Sequence, residues 1–160
     1  MYYRFMTMRL QDEIKQSKPF ARPEVEALLS VLRTSALLEH ALGQILKPFG
    51  LTHTQYNVLR ILRGAGADGL CGREVGERLV SPVPDVSRLL DRLSEEGLVE
   101  RHRDPGDRRH VKATLTAEGE RTVERATPAL EALQTRWFGG LDRDRLRALI
   151  QALGEVRAAG

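Results

Sequence analysis

Residues 83–119 read VPDVSRLLDRLSEEGLVERHRDPGDRRHVKATLTAEG, and this stretch decides the fold. Its first part predicts an amphipathic helix that ends at Gly97, because apolar residues recur at the i, i+3, i+4, i+7 spacing (Val86, Leu89, Leu90, Leu93). Two short strands are then predicted at 98–103 and 109–115. The residues between them, DPGD at 104–107, place Pro and Gly at the centre of a type II turn. The stretch therefore predicts a helix followed by a β-hairpin with a charged tip.

Two predicted helices precede this unit. Thr52 and Gln55 form a capping box, which predicts that a helix starts at Thr52. A short helix is predicted from about Cys71 to Val80, and residues 80–83 join it to the next helix. A short join between two helices followed by a hairpin is the order of a winged helix-turn-helix.

Longer helices flank this region. Helical periodicity predicts one over about 23–47, one over 116–138 bent near Pro128, and one that Asp142 caps. The first carries more apolar surface than a single stripe, which favours a homodimer over a monomer that folds these helices on each other. We expect a mainly α (α+β) fold, a winged helix-turn-helix with a helical dimerisation region from the N- and C-terminal helices. The predicted parts are 1–50 (arm and dimerisation helix), 51–115 (DNA-binding domain) and 116–160 (dimerisation helices).

Composition adds few constraints. The net charge is only +3, and arginine supplies all but four of the 25 basic residues. Arginine suits phosphate and guanine, although a genomic codon bias explains this excess equally well. The single cysteine, Cys71, excludes an internal disulfide and a cysteine-based zinc site, and it fits a reducing cytoplasm. We read no signal peptide and no membrane span, and residues 1–22 are compatible with a short helix or an arm.

The helix after residue 83 is the candidate for reading DNA, because a major groove admits one helix. Its exposed side is predicted to contact DNA through Pro84, Asp85, Ser87, Arg88 and Arg92. We expect it to enter by its amino end, with free N–H groups and the positive dipole end toward phosphate. The alternative is an ordinary surface helix with solvated charges.

The hairpin favours the DNA-binding interpretation, since the segment 101–112 contains five Arg or Lys residues but only two Asp residues. We predict wing contacts from Asp107, Arg108 and Arg109, because a narrow minor groove attracts an inserted arginine. Arg73, Arg101 and Arg103 are predicted to contact the DNA backbone, and His102 and His110 are also within its predicted reach.

The sequence resembles the multiple-antibiotic-resistance regulator (MarR) family. The matching segments are LTHTQYNVLRIL (51–62), VPDVSRLLDRLSEEGLVER (83–101), DPGDRRHVKATLTAEG (104–119) and ATPAL (126–130). The resemblance implies a winged-helix homodimer on palindromic DNA, often a repressor released by a small ligand or by oxidation. It also implies that Asp107 orients Arg109 in the minor groove and that Ser87 and Arg88 replace a Thr-Arg pair. Cys71 and the SPVP connection (81–84) depart from the family pattern.

The expected partners are double-stranded DNA, a second copy of the chain and a small-molecule effector, phenolic or similar, but no membrane. His40 and His53 are candidates for an effector pocket, although solvated or capping histidines are the alternative. Cys71 is a candidate redox sensor or a structural cysteine. The resemblance favours the structural role, since the family's peroxide-sensing members carry their cysteine near the first helix. Trp137 and Phe138 are predicted to belong to the dimer core.

These observations predict a cytoplasmic, nucleoid-associated transcriptional regulator that represses by binding a specific operator. A winged-helix adaptor for protein interactions is the alternative, but an adaptor does not need a basic wing. An enzyme is not expected, because the sequence has no Gly-rich phosphate loop, nucleophile elbow or metal signature. No cofactor or metal is predicted.

Overall fold

The structure is a computed structural model that describes residues 9–103 and 111–160. Within these ranges the helices are α1 (Leu10–Glu13), α2 (Pro23–Leu46), α3 (His53–Ala65), α4 (Gly72–Arg78), α5 (Val86–Glu95), α6 (Ala117–Phe138) and α7 (Arg143–Ala158). The strands are β1 (Leu70–Cys71), β2 (Val99–Arg103) and β3 (Val111–Leu115). A mostly helical chain with a small antiparallel sheet confirms the predicted fold class.

The chain divides into two compact units, one ending at Ala41 and the other beginning at Leu42. In the first unit, Glu13 of α1 forms an ion pair of 3.8 Å with Arg33 of α2. The sequence left residues 1–22 open between a short helix and an arm, and the described part of this segment contains a helix of four residues. The predicted division into three functional parts stays a prediction.

The second unit contains the winged helix-turn-helix. Its core joins α3, α4, α5, the sheet and α6 through fully buried side chains, among them Leu59, Leu62, Val75, Leu90, Leu93, Val99 and Val123. The helix α6 continues through Pro128 to Phe138, as predicted in length. None of the described helices combines the length and apolar character that crossing a membrane requires.

Three predicted helix starts are confirmed. Thr52 and Gln55 make the full capping box at α3, and Asp142 caps α7 by accepting a hydrogen bond from the Arg145 N–H at 2.9 Å. Thr116 caps α6, since its hydroxyl oxygen accepts from the Gly119 N–H at 3.0 Å. These caps satisfy N–H groups that have no partner inside the helix.

The sheet has one strand more than the sequence predicted. Its order is β1-β3-β2, all antiparallel, and Ala113 of β3 lies between Leu70 of β1 and Arg101 of β2. Gly69 makes the approach of β1 possible, because its φ is +62° and a Cβ there would lie 2.6 Å from the Ala113 carbonyl oxygen. The sequence predicted no strand here and a helix from about Cys71, whereas Leu70 and Cys71 form β1 and α4 starts at Gly72.

The join between α4 and α5 is also longer than predicted. It covers residues 79–85, whereas the sequence predicted residues 80–83. The cause is the pair of prolines at 82 and 84, since each disfavours the helical region for the residue before it. The helix α5 consequently starts only after Asp85.

Candidate nucleic-acid interface

The helix α5 buries one face and exposes the other. Leu90 and Leu93 are buried, whereas Ser87, Arg88 and Arg92 are exposed. The division agrees with the apolar spacing of the sequence and leaves two arginines one turn apart on the accessible side. Arginine can donate two parallel hydrogen bonds to guanine, so this face has the chemistry for reading DNA.

The amino end of α5 is capped by its own carboxylate. Asp85 Oδ1 accepts a hydrogen bond from the Arg88 backbone N–H at 2.9 Å, and Pro84 before it is exposed. This differs from the expected end with free N–H groups, because one donor is occupied and a negative charge lies beside it. Asp85 was predicted to contact DNA, and the structure gives it a capping role as well.

Two side chains of α3 hold the helix-turn-helix in place. Asn57 Oδ1 accepts from the Val80 N–H in the join at 3.0 Å, and the Gln55 amide donates to the Glu96 carboxylate at the end of α5. Sequence reasoning missed both contacts. No local pattern signals them, since the partners lie 23 and 41 residues apart.

Of the three arginines predicted to contact the DNA backbone, two are accessible. Arg73 is exposed on α4 and lies 3.9 Å from Glu77, while Arg103 is exposed at the end of β2. Arg101 is different, because its guanidinium contacts the Asp91 carboxylate of α5 and lies 3.5 Å from the Ser87 carbonyl oxygen. Its side chain is only 22% exposed.

An open groove brings several of these residues together. It has a volume of about 610 Å³ and lies among α4, the start of α5 and the sheet. Its lining includes predicted DNA-contacting residues from three elements: Arg73, Pro84, Asp85, Ser87 and Arg101. The groove thus collects five of the predicted residues, whereas Arg88, Arg92 and Arg103 do not line it.

Cys71 is the N-cap residue of α4, and it lines the same groove. The Glu74 carboxylate accepts a hydrogen bond from the Cys71 N–H at 2.8 Å. That bond, followed by a hydrogen bond from the thiol, lowers the pKa of Glu74. Glu74 therefore accepts hydrogen bonds from both the backbone and the thiol of Cys71, and this arrangement agrees with a structural role for the cysteine.

Other predicted residues are not tested by this geometry. The wing residues Asp107, Arg108 and Arg109, with His110, lie outside the described residues. His40 is exposed on α2 and His53 is half-buried at the start of α3, and they belong to the two separate units. In ranges 9–103 and 111–160, no three His, Cys, Asp or Glu side chains form a group that could hold a metal ion.

Comparison with known proteins identifies the family. A family profile described as the MarR family matches residues 49–110. The uncharacterized HTH-type transcriptional regulator YkoM of Bacillus subtilis (strain 168) is 30% identical over 139 residues, which cover 84% of this chain and 88% of that protein. These likenesses extend beyond the helix-turn-helix to most of the chain.

Solved structures agree with this result. A MarR family transcriptional regulator from Streptomyces coelicolor, in complex with DNA, is 25% identical with a TM-score of 0.77, covering 89% of this chain and 92% of that one. CouR from Rhodococcus jostii RHA1, bound to p-coumaroyl-CoA, is 31% identical with a TM-score of 0.66, covering 84% and 92%. The fold, the exposed arginines of α5 and these likenesses lead to one conclusion: the chain belongs to the MarR family of DNA-binding, winged helix-turn-helix transcriptional regulators.

Proposed function

We propose that the protein is a cytoplasmic, homodimeric repressor that binds a palindromic operator and is released by a small-molecule effector. The observation that carries this proposal is the α5 face on which Ser87, Arg88 and Arg92 are exposed above the buried Leu90 and Leu93. In this arrangement α5 enters the major groove and Arg88 contacts a base edge.

Exposed apolar surface supports the homodimer. The helix α7 has no buried residue, and it exposes Leu149, Ile150 and Val156. The helix α2 exposes Leu28, Val31, Leu32 and Leu37. Exposed apolar side chains on a helix are typical of interfaces, and a two-fold dimer presents two DNA-reading α5 helices about 34–36 Å apart, one turn of DNA.

The wing completes the proposed interface. From the family resemblance, Arg109 enters the minor groove, Asp107 orients it and Arg108 lies beside them. Arg103, exposed at the end of β2, leads into this segment and contacts phosphate in the proposal. Replacing Arg109 by Ala is then expected to weaken operator binding by about 1–3 kcal/mol without unfolding the protein.

The effector is proposed by analogy. CouR binds p-coumaroyl-CoA, a thioester of a phenolic acid, and we expect a phenolic or similar ligand here. His40 and His53 are candidate contacts, each considered by itself because they belong to separate units. Equilibrium dialysis against p-coumaroyl-CoA, with His40→Ala and His53→Ala compared with the native chain, tests this part separately from DNA binding.

The DNA-binding experiment starts from a random library of duplexes, from which the native protein selects its preferred sequence. Arg88→Ala is expected to weaken binding to that duplex by about 1–3 kcal/mol and to relax the preference at one position of each half-site. Arg63→Ala on α3 is the matched control, since Arg63 is likewise exposed but lies outside the predicted DNA contacts. An equal loss on random DNA would assign Arg88 to phosphate, and a native chain that selects no sequence contradicts the proposal.

A separate experiment tests the proposed homodimer. Ile150 is 61% exposed on α7, so Ile150→Asp disrupts a dimer interface there without opening the core of the monomer. Sedimentation equilibrium is expected to show a dimer for the native chain and a weakened dimer for the variant. A native chain that stays monomeric at micromolar concentration contradicts the homodimer.

A further inference from the structure

Arg101 lies where the hydrophobic core meets the root of the wing. Residues directly opposite in an antiparallel sheet share a face, so Arg101 shares its face with Ala113 and, across β3, with Leu70. Ala113 and Leu70 are buried, at 1% and 5% exposure. The next pair outward on this face is Arg103 and Val111, beyond which the described part of β2 ends. Arg101 is thus the last residue of β2 on this face that lies opposite a buried residue, since Val111 is only half-buried.

The guanidinium of Arg101 contacts two residues that lie one turn apart on α5. It pairs with the Asp91 carboxylate and lies 3.5 Å from the carbonyl oxygen of Ser87, four residues earlier in α5. Arg88, the residue proposed to contact a base, follows Ser87 directly in α5. A planar guanidinium that meets two acceptors restrains orientation better than a single point charge does.

We propose that Arg101 is a positioning residue for DNA recognition, which fixes the angle between α5 and β2 through Asp91 and Ser87. This inference rests on the proposed function. It replaces the phosphate contact expected of Arg101 from the sequence. When the angle is fixed, the direction of α5 and its Arg88 relative to the sheet is set before DNA arrives, and less ordering is needed on binding.

Positioning and phosphate contact predict opposite results for Asp91. If Arg101 bound phosphate directly, Asp91→Asn would free it and remove a negative charge, so DNA affinity would rise. If Arg101 positions α5, the same variant loosens the helix and lowers affinity for the specific sequence. The affinity for an unrelated DNA sequence does not depend on the angle of α5, so it would not fall.

The experiment uses the full chain and two duplexes, one selected by the native protein from a random library and one of the same composition with scrambled sequence. Asp91→Asn and Arg101→Met are each expected to lower affinity for the selected duplex about tenfold, and the double variant to be no weaker than Arg101→Met. Affinity for the scrambled duplex is expected to stay level or rise for Asp91→Asn. Arg101→Lys, which keeps the charge, is expected to recover part of the loss.

Matched controls come from Arg63 of α3 and Glu120 of α6, an Arg–carboxylate pair at 2.7 Å that also joins two elements but lies outside the predicted DNA contacts and outside α7. Glu120→Gln and Arg63→Met change the net charge equally and are expected to leave the ratio of the two affinities unchanged. Thermal unfolding of every variant identifies a temperature at which all are folded, and the affinities are measured there.

Three outcomes overturn the inference. Tighter binding of Asp91→Asn to the selected duplex, with a salt slope reduced by about 0.9 in Arg101→Met, would make Arg101 a phosphate contact. A lowered unfolding temperature with an unchanged affinity ratio would make the pair structural only. A native chain that selects no duplex defeats the proposed function itself, and this result is distinguishable because it appears before any variant is made.

Discussion

The side-chain amide of Gln55 in α3 donates a hydrogen bond to the carboxylate of Glu96, the residue that ends α5, 41 residues further along the chain. The nearer contact is 3.3 Å. The other end of the same amide, Oε1, accepts from the Thr52 N–H at 2.9 Å. One buried side chain therefore caps α3 and holds the carboxyl end of α5.

Gln55→Ala removes both interactions and leaves the Thr52 N–H without its side-chain acceptor. We expect the free energy of unfolding to fall by about 1–2 kcal/mol, measured by urea denaturation. Gln151→Ala is the matched control, because Gln151 on α7 also donates to a glutamate, Glu155 at 2.9 Å, but is exposed. Equal losses in the two variants would contradict a special role for Gln55.

The two glycines Gly119 and Gly64 are both helical but differ in their surroundings. A Cβ at Gly119 would collide with the carbonyl oxygen of Leu98, so Gly119 lets α6 start close against the segment that links α5 to β2. Nothing lies within 4 Å of a Cβ at Gly64. Gly119→Ala is expected to destabilise the protein by about 1–3 kcal/mol, and Gly64→Ala to stabilise it by up to about 1 kcal/mol. Thermal unfolding of both variants is the measurement, and a shift of the same sign in both contradicts the packing argument.

A substitution at the N-cap of α5 can distinguish the effect of charge on DNA binding from the effect of helix stability. Asn caps a helix as well as Asp, so Asp85→Asn keeps the hydrogen bond to the Arg88 N–H and removes a negative charge from the end proposed to face phosphate. We expect tighter binding to duplexes of any sequence, by about twofold to tenfold at low salt, with little change in unfolding. Asp142→Asn, at the equivalent cap of α7, is expected to leave DNA affinity unchanged. Weaker DNA binding by Asp85→Asn would instead indicate a direct contact between Asp85 and a base.

The caps were predictable from the sequence because each depends on residues three positions apart. Thr52, Thr116 and Asp142 are in this group, and so is the apolar face of α5. The strand β1 was not predictable, since two residues next to Gly69 become a strand only by pairing with β3, some 40 residues away. Such a pairing depends on tertiary structure and leaves no periodicity in the sequence.

The candidate site shows the same limit. The sequence indicated that Arg101 is basic and near the wing, which suggested a phosphate contact. Its partner Asp91 lies ten residues earlier, across Gly97 and a change from helix to strand. The contact depends on the angle between α5 and β2, and that angle is a property of the packed core rather than of any local pattern.

The ionisation of Glu74 makes the stability of the protein depend on pH. Hydrogen bonds from the Cys71 N–H and thiol lower its pKa below the ordinary value of 4.5 in the folded chain. A carboxyl whose pKa is lower in the folded than in the unfolded state stabilises the fold above the unfolded value, and this contribution disappears as the pH falls through the folded value. Ionised Glu74 therefore stabilises the protein at neutral pH and stops doing so in acid.

Glu74→Gln tests this sign, because glutamine resembles the protonated acid and still accepts a hydrogen bond. We expect the variant to unfold at a lower temperature than the native chain at pH 7, and the difference to shrink as the pH is lowered below 4.5. Glu77→Gln, on the same helix, loses only an exposed pair of 3.9 Å with Arg73 and is expected to change the unfolding temperature little at pH 7. A deficit of Glu74→Gln that grows in acid would mean that Glu74 stabilises α4 through its protonated form, contrary to the hydrogen bonds that it accepts from Cys71.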